Sequence, residues 1–494
     1  SLGLGACLAD DMGLGKTVQA LALLLQVKER LDGPGAEPGA GSDAEPSLRR
    51  RASLLAAPAS LLANWKAEVA RFAPSLKVAF WHPSETPAET LAAWEARPEE
   101  LLASHDLVVV SYAFLAKKAD WFAGLQWRLA VLDEAQAVKN PASGWSRAAR
   151  RLQAQGKVAL TGTPVENRLL DLWSIFDFLN PGLFGSLKRF KEILASLEKR
   201  VEDQDRWGPL RRLAAPYLLR RLKTDRRVAA DLPDKSEVDL NCRLTAAQAT
   251  LYARVVEDLQ KGLKRLQPAG GELGGESGVG VERRGLVLQA LTRLRQVINH
   301  PAQLTGDGDW SSERSGKFQR LAELGRELAE RQERLLVFSQ FKEVIEPLAE
   351  HLRSVFGRPG LVLHGGVAVG RRRGLVEAFQ AEDGPPFFVL SLKAGGVGLN
   401  LTAAGQVIHF DRWWNPAVED QASDRAYRIG QRRNVLIHKC VTRGTLEERV
   451  DALLKKKRAL ADGVLGGERE IDLTGLDDGA LMELVGLDLE RAIL

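Results

Sequence analysis

Only three cysteines are spread over 494 residues, Cys7, Cys242 and Cys440, and no two of them form a C-x-x-C pair. That spacing supplies neither a zinc ribbon nor a disulfide framework, and a reducing, cytoplasmic setting follows as the default. Long apolar runs are missing as well. The most membrane-like stretch, ALALLLQV (20–27), falls far short of the ~20 residues a spanning helix needs, and no cleavable signal precedes it. A soluble protein with no membrane partner is expected. Charge of one sign is scarce too: Lys and Arg number 69 against 64 Asp and Glu, a formal +5. Such a balance permits a nucleic-acid partner without arguing for one. No internal repeat of solenoid length is present. The first residue is Ser1 rather than Met, so the chain is expected to be a fragment, and its length calls for two domains or more.

What the chain does carry begins at DDMGLGKT (10–17). GACLAD before it reads as a short buried strand, MGLG lets backbone approach an anion, and KTVQALALLLQVKERL after it has helical spacing. A strand, a glycine turn and a helix in that order make a phosphate-binding loop. Its backbone N–H groups face the anion, Lys16 adds a mobile positive charge and Thr17 a hydroxyl for Mg²⁺. The match is incomplete, because the full pattern G-x-x-x-x-G-K-[ST] wants glycine where Asp10 stands.

Short apolar runs alternate with helical stretches through SLLAAP (53–58), LVVVS (107–111), RLAVLDE (128–134) and KVALTGT (157–163). The rhythm returns with RLLVFSQ (334–340), LVLHGG (361–366), FFVLSLK (387–393), QVIHFD (406–411) and NVLIHKC (434–440). Continuous apolar strands of this kind predict parallel sheets covered on both faces, hence an α/β fold with two doubly wound lobes. Residues 166–304 read mainly as helices without strand-like runs. Two segments, 32–47 and 267–280, are dense in Gly, Pro, Glu and Ser and are expected to be mobile.

In open α/β sheets ligands lie beyond the carboxyl ends of the strands, so the polar residues there are the ones to read. DEAQ (133–136) follows an apolar run in that position. Asp133 is placed to hold Mg²⁺ opposite Thr17, and Glu134 to polarise the attacking water. In QASDRAYRIGQRR (421–433), helical spacing sets Gln421, Arg425 and Arg428 on one face. Guanidinium groups so arranged suit the charge that spreads over a transferring phosphoryl group.

These blocks, with LLAAPASLLANW, LDEAQAVKNP, LTGTPVENRLLDLWSIFDFLNPGLFG, LLRRLKTD, LRQVINHP, SGK, VFSQF, LHGG, LSLKAGGVGLNLTAAGQVIHFDRWWNPAVEDQASDRAYRIGQ and TLEERV, follow one another as in Swi/Snf-type ATPases. The resemblance to this branch of the superfamily-two helicase-like motors runs from Ala9 to about Lys457 and is closest to bacterial members. It implies two RecA-like lobes with helical insertions, ATP and Mg²⁺ in the cleft, and double-stranded DNA bound by both lobes. Carried over by position, Gly13, Gly15, Lys16 and Thr17 match the phosphate loop, Asp133 and Glu134 the magnesium and water pair, and Arg425 and Arg428 the arginine fingers. Gln421 matches a nucleotide-side position, and Thr161, Gly162 and Thr163 the segment coupling ATP to the DNA track. On the DNA side the resemblance points to Pro58, Ser60, Asn64 and Trp65, then to Ser339, Gln340, His364, Gly365, Lys393, Gly395 and Gly396. Phosphate contact by such groups positions a duplex without reading its sequence.

The chain is thereby expected to divide into a first lobe (1–165), a helical insertion (166–230), a linker (231–242), a second helical insertion (243–310), a second lobe (311–445) and a C-terminal bracing helix and tail (446–494). One departure stands out. Family members carry, upstream of the phosphate loop, a glutamine that reads adenine, and the nine residues before Asp10 leave no room for that segment. Trp413 and Trp414 read as packing rather than base-stacking aromatics, and His300 and His438 as structural histidines with no metal-spaced partner. LLKKKRAL (453–460) reads as a helix with a solvated basic face at least as readily as a DNA contact. The expected protein is a monomeric, nucleoid-associated, ATP-dependent translocase on double-stranded DNA that displaces DNA-bound proteins. A strand-separating helicase and a nucleotide-gated DNA-binding scaffold are the alternatives.

Overall fold

The computed structural model describes residues 4–32, 51–162, 169–198, 207–223, 225, 227–228, 232–266, 276–392, 399–461 and 473–493. The chain forms two compact units, Ser1–Asp231 with Leu460–Arg469, and Leu232–Ala459 with Glu470–Leu494.

The first unit is built on a seven-stranded sheet of β1 (Ala6–Leu8), β2 (Ser53–Ala57), β3 (Val78–Trp81), β4 (Leu107–Ser111), β5 (Gln126–Asp133), β6 (Gln153–Leu160) and β7 (Leu218–Leu219). Their order is β3-β4-β2-β5-β6-β1-β7, and every pairing is parallel. The second unit holds β8 (Lys235–Cys242), β9 (Leu335–Ser339), β10 (Leu361–Leu363), β11 (Phe387–Ser391), β12 (Gln406–His409) and β13 (Val435–Thr442) in the order β10-β11-β9-β12-β13-β8, again all parallel.

The apolar runs are continuous because both sheet faces are covered. Side chains alternate faces along a strand. In the second unit Leu335, Val337, Val389, Ile408 and Cys440 therefore enter one core, while Leu336, Phe338, Leu390, Val407 and Ile437 enter the other. Separate helical cores flank the sheets. In the first unit Leu172, Trp173, Phe176, Phe190 and Trp207 pack together within the expected helical insertion. In the second, helices Ala246–Leu266 and Glu276–Asn299 share one core with Leu446–Ala461 and Asp478–Val485, so the expected second insertion and the C-terminal segment make a single helical body.

Three expectations are corrected here. Residues 235–242, taken as linker, are an eight-residue strand bonded to β13 along its length. The stretch 166–304 therefore contains strands, β7 and β8. The segment 267–280 is not wholly irregular, since residues 276–280 open the helix Glu276–Asn299; the other expected mobile segment, 32–47, lies outside the described residues apart from its first residue. All three cysteines are buried and free, and among the described residues no helix is long and apolar enough to cross a membrane.

Parallel strands all end on the same edge of their sheet. In the first unit that edge collects the chain after β1, β2, β5 and β6, which carries residues 9–17, 58–64, 133–136 and 161–162.

Candidate nucleotide site

The loop after β1 turns through Gly13 (φ 85°) and Gly15 (φ 77°), left-handed conformations that disfavour a side chain. Helix α1 (Lys16–Asp32) starts at once, so Lys16 and Thr17 occupy its first turn. The Lys16 ammonium donates back to the carbonyl oxygens of Asp10 (2.5 Å) and Asp11 (3.1 Å), across the mouth of the loop.

Asp10 explains its departure from glycine. It is fully buried, and its carboxylate accepts from the Arg221 backbone N–H (2.9 Å), the Arg221 guanidinium and the Gln19 side chain (3.3 Å). Burial alone would raise its pKa, but the hydrogen bonds and charge of Arg221 outweigh that and hold it below the usual carboxylate range. The end of β7 and the segment after it run beside the loop: Ala9 N–H donates to Leu219 O, Asp11 N–H to Arg221 O and Lys223 N–H to the Asp11 carboxylate. Sequence reading passed over this fastening, although an acidic residue in a glycine position was its signal.

At the end of β5, Asp133 is buried. Its Oδ2 accepts the Trp65 indole N–H (2.8 Å), its Oδ1 the Glu134 amide (2.9 Å), and its carbonyl the Tyr112 hydroxyl (2.7 Å). Burial, then the neighbouring Glu134 charge, push its pKa up to about 7 against the pull of these donors and of Lys16. Glu134 itself sits in left-handed backbone (φ 48°, ψ 56°), a costly conformation for a residue with a side chain and one that clusters at functional sites.

From Glu134 a hydrogen-bond chain leads to β6. The Gln136 amide donates to Glu134 Oε2 (2.5 Å), and the Thr161 hydroxyl donates to Gln136 Oε1 (3.0 Å). Gly162 closes against the phosphate loop, for a Cβ there would lie 2.6 Å from Met12 Cγ. Thr161 and Gly162 thus join the carboxylate end to the loop, while Thr163 lies outside the described residues.

The donor set here is all oxygen: the Thr17 hydroxyl and the Asp133 and Glu134 carboxylates. Hard Mg²⁺ takes few protein ligands and keeps water and phosphate oxygens. Among the described residues no cluster of three or more His, Cys, Asp or Glu suited to a metal occurs.

The expected DNA-side residues divide. Pro58 precedes the 3-10 turn Ala59–Leu61, Ser60 is exposed and Asn64 half-buried in helix α2 (Leu62–Phe72). Trp65 is a correction: its side chain is fully buried and spent on Asp133, with no surface to offer a duplex. Ser339 is a second correction, being fully buried with its hydroxyl donating to Asp411. Gln340 is half-buried and its amide also donates to Asp411 (3.0 Å). His364 accepts the Gly366 amide (3.0 Å) beside exposed Gly365, and Lys393, Gly395 and Gly396 lie outside the described residues.

The expected arginine helix is corrected as well. The helix Pro416–Ser423 stops two residues before Arg425. After it three-residue bonds enter, Arg425 N–H on Ala422 O and Ala426 N–H on Ser423 O beside a four-residue bond from Tyr427 N–H to Ser423 O, and the Arg425 carbonyl accepts the Leu401 amide. Gln421 and Arg428 are half-buried and Arg425 is buried, so the three do not share a regular helical face. His300 and His438 are satisfied structurally, His300 by Ala302 N–H and Ser311 O, His438 by Gln406. Trp414 packs on Arg295 at 5.0 Å, and Trp413 packs against the core of the second sheet.

Two parallel α/β units, one of them carrying a glycine loop with a lysine and a carboxylate pair at the same strand edge, define a protein of the RecA-like class with a phosphate-loop site. Residues 2–303 match the SNF2-related domain and 316–430 the helicase conserved C-terminal domain. The chain belongs to the SNF2-related family. It is similar to YwqA of Bacillus subtilis (strain 168), by its name a candidate ATP-dependent helicase/translocase, at 41% identity over 98% of this chain and 49% of that protein. It is 32% identical to the human SWI/SNF-related matrix-associated actin-dependent regulator of chromatin subfamily A member 1, over 95% of this chain and 42% of that one. The chain therefore spans about half the length, or less, of these curated relatives. Among solved structures it is similar to the Sulfolobus solfataricus SWI2/SNF2 ATPase core in complex with dsDNA, at 36% identity, covering 99% of this chain and 94% of that one, with a TM-score of 0.44.

Proposed function

We propose that this chain is an ATP-hydrolysing motor that moves along double-stranded DNA without separating its strands and displaces proteins bound there. The observation that carries the reading is the phosphate loop with its two left-handed glycines, joined through Gly162, Thr161 and Gln136 to Glu134, which is held in strained backbone beside Asp133. In this reading Gly13, Gly15, Lys16 and Thr17 hold the phosphates, and Thr17 and Asp133 face Mg²⁺. Mg²⁺ supplies charge neutralisation at the phosphates. Glu134 orients the water, Gln136 and Thr161 relay its position to β6, and Arg425 and Arg428 supply guanidinium charge. Exposed Ser60 and Gly365, with half-buried Asn64, Gln340 and His364, suit backbone contact to DNA phosphate rather than reading of base edges.

The test gives the protein a triplex and a tailed duplex with ATP and Mg²⁺ at low salt. Release of the third strand alone is the expected result. Efficient unwinding of the tailed duplex replaces this reading with a strand-separating helicase, and duplex binding without any ATP turnover replaces it with a nucleotide-gated scaffold.

A further inference from the structure

Trp65 lies three residues into α2, next to Asn64 and five residues after Ser60, yet it points inward. Among the described residues its indole N–H is the one side-chain donor placed on the Asp133 carboxylate, at 2.8 Å, with both groups buried. Tryptophan gives a single donor from a large flat ring, and burial of that ring fixes the donor's direction. Leu62 and Val69 of the same helix are also buried, so α2 cannot roll without moving the indole. The second carboxylate oxygen accepts the Glu134 amide, which leaves the lone pairs not engaged by these two donors as the only ones a cation can use. Tyr112 anchors the Asp133 carbonyl from a third direction (2.7 Å).

We infer that Trp65 is a positioning residue, which fixes the Asp133 carboxylate for nucleotide-borne Mg²⁺ and ties its orientation to α2, the helix that carries Asn64 and follows the turn holding Ser60. The inference rests on the proposed ATP site, and reaches past it by assigning a buried tryptophan on the DNA-side helix to the metal-facing carboxylate. Outer partners of this kind typically change metal affinity about 10–100-fold when lost.

The experiment replaces Trp65 with β-(3-benzothienyl)alanine, which keeps the ring's shape and exchanges only N–H for sulfur, and follows Trp65→Phe alongside it. Binding of a fluorescent, non-hydrolysable ATP analogue is measured against Mg²⁺ concentration, together with duplex affinity in the absence of nucleotide. We expect the Mg²⁺ midpoint to rise about 10-fold in the isostere. Metal-free nucleotide affinity and duplex affinity should match the parent. An unchanged midpoint overturns the inference, and so does a loss of duplex affinity with the midpoint intact, which would make Trp65 a DNA contact. Because the readout is binding, failure of strand-independent movement leaves it standing. A parent protein that takes up no nucleotide overturns both readings at once.

Discussion

Two buried aspartates sit at opposite sides of the candidate site and are treated in opposite ways. Asp10, where the phosphate loop begins, meets a guanidinium and a backbone amide from Arg221, and its pKa is held low. Asp133, where β5 ends, meets neutral donors only, the Trp65 indole and the Glu134 amide, with a second carboxylate next door, and its pKa rises to about 7. A buried charge needs a partner. Asp10 has found its partner inside the protein and works as a fastening between the loop and the segment after β7. Asp133 is held in place without being neutralised, the condition of a carboxylate kept for a cation that arrives with a ligand. Perturbed carboxylates mark function only when the source of the perturbation is read, since burial with a matched cation is a structural device and burial without one is a poised site.

The contrast breaks most sharply in turnover. Glu134→Gln should lower ATP hydrolysis by about 10²–10⁴-fold, the usual reach of a lost general base, while nucleotide binding stays near the parent's. Lys16→Ala should remove hydrolysis as well, but with weaker binding, because the ammonium meets phosphates already present in the ground state. Equilibrium binding of a fluorescent ATP analogue beside a steady-state phosphate assay separates the two. Equal losses of affinity would put Glu134 on the same footing as Lys16 and dissolve the assignment.

A smaller effect should follow from the Asp10 side. Asp10→Asn keeps the shape and discards the charge that holds Arg221. Hydrogen bonds to charged groups contribute about 1.5–3 kcal/mol, and the Arg221 side chain is 39% exposed, so a loss near about 2 kcal/mol is expected in urea unfolding. Arg221→Ala should cost more than Asp10→Asn, because it leaves a buried carboxylate without its cation. If Arg221→Ala were the milder of the two, the backbone N–H of residue 221 and the Gln19 side chain would have to suffice for Asp10.

How far the sequence foretold this arrangement depends on the kind of bond involved. The loop, the strand ends at Asp133 and Thr161 and ten strands were legible, because each is encoded within a few neighbouring residues. The three strands that escaped, β3, β7 and β8, all lie at sheet edges. β8, KSEVDLNC, is largely exposed and so lacks the apolar run that marks a central strand, and β7 has two residues. Long-range pairs were equally silent. Nothing near Trp65 announces that its partner is 68 positions away, and Arg221 is 211 positions from Asp10. The end of the helix at Ser423 was hidden for the same reason, since the Arg425 carbonyl is claimed by Leu401 from a separate loop.

The smallest expected effect, and the one that measures the comparison directly, is a change in the slope of stability against pH. A carboxyl whose pKa is raised in the folded state binds its proton more tightly there than in the unfolded chain, so stability falls as pH rises from the unfolded pKa, near about 3.9, to the folded one. For Asp133 that window runs from about 4 to about 7. Three full pK units amount to roughly 4 kcal/mol, the upper bound on the change across that window. Asp133→Asn abolishes the titration. Its stability relative to the parent should therefore climb between pH 5 and pH 8 without nucleotide, whatever fixed amount is lost with one acceptor oxygen. Asp10→Asn should show the reverse sign in a lower window: a depressed pKa adds stability above the unfolded value that disappears as pH falls through the folded one, so this variant should approach the parent only in acid. Urea midpoints at pH 3, 5 and 8 for the three proteins decide it. Parallel lines for Asp133→Asn and the parent would mean that Asp133 is ionised and compensated throughout, and the distinction between a fastened and a poised carboxylate would fall.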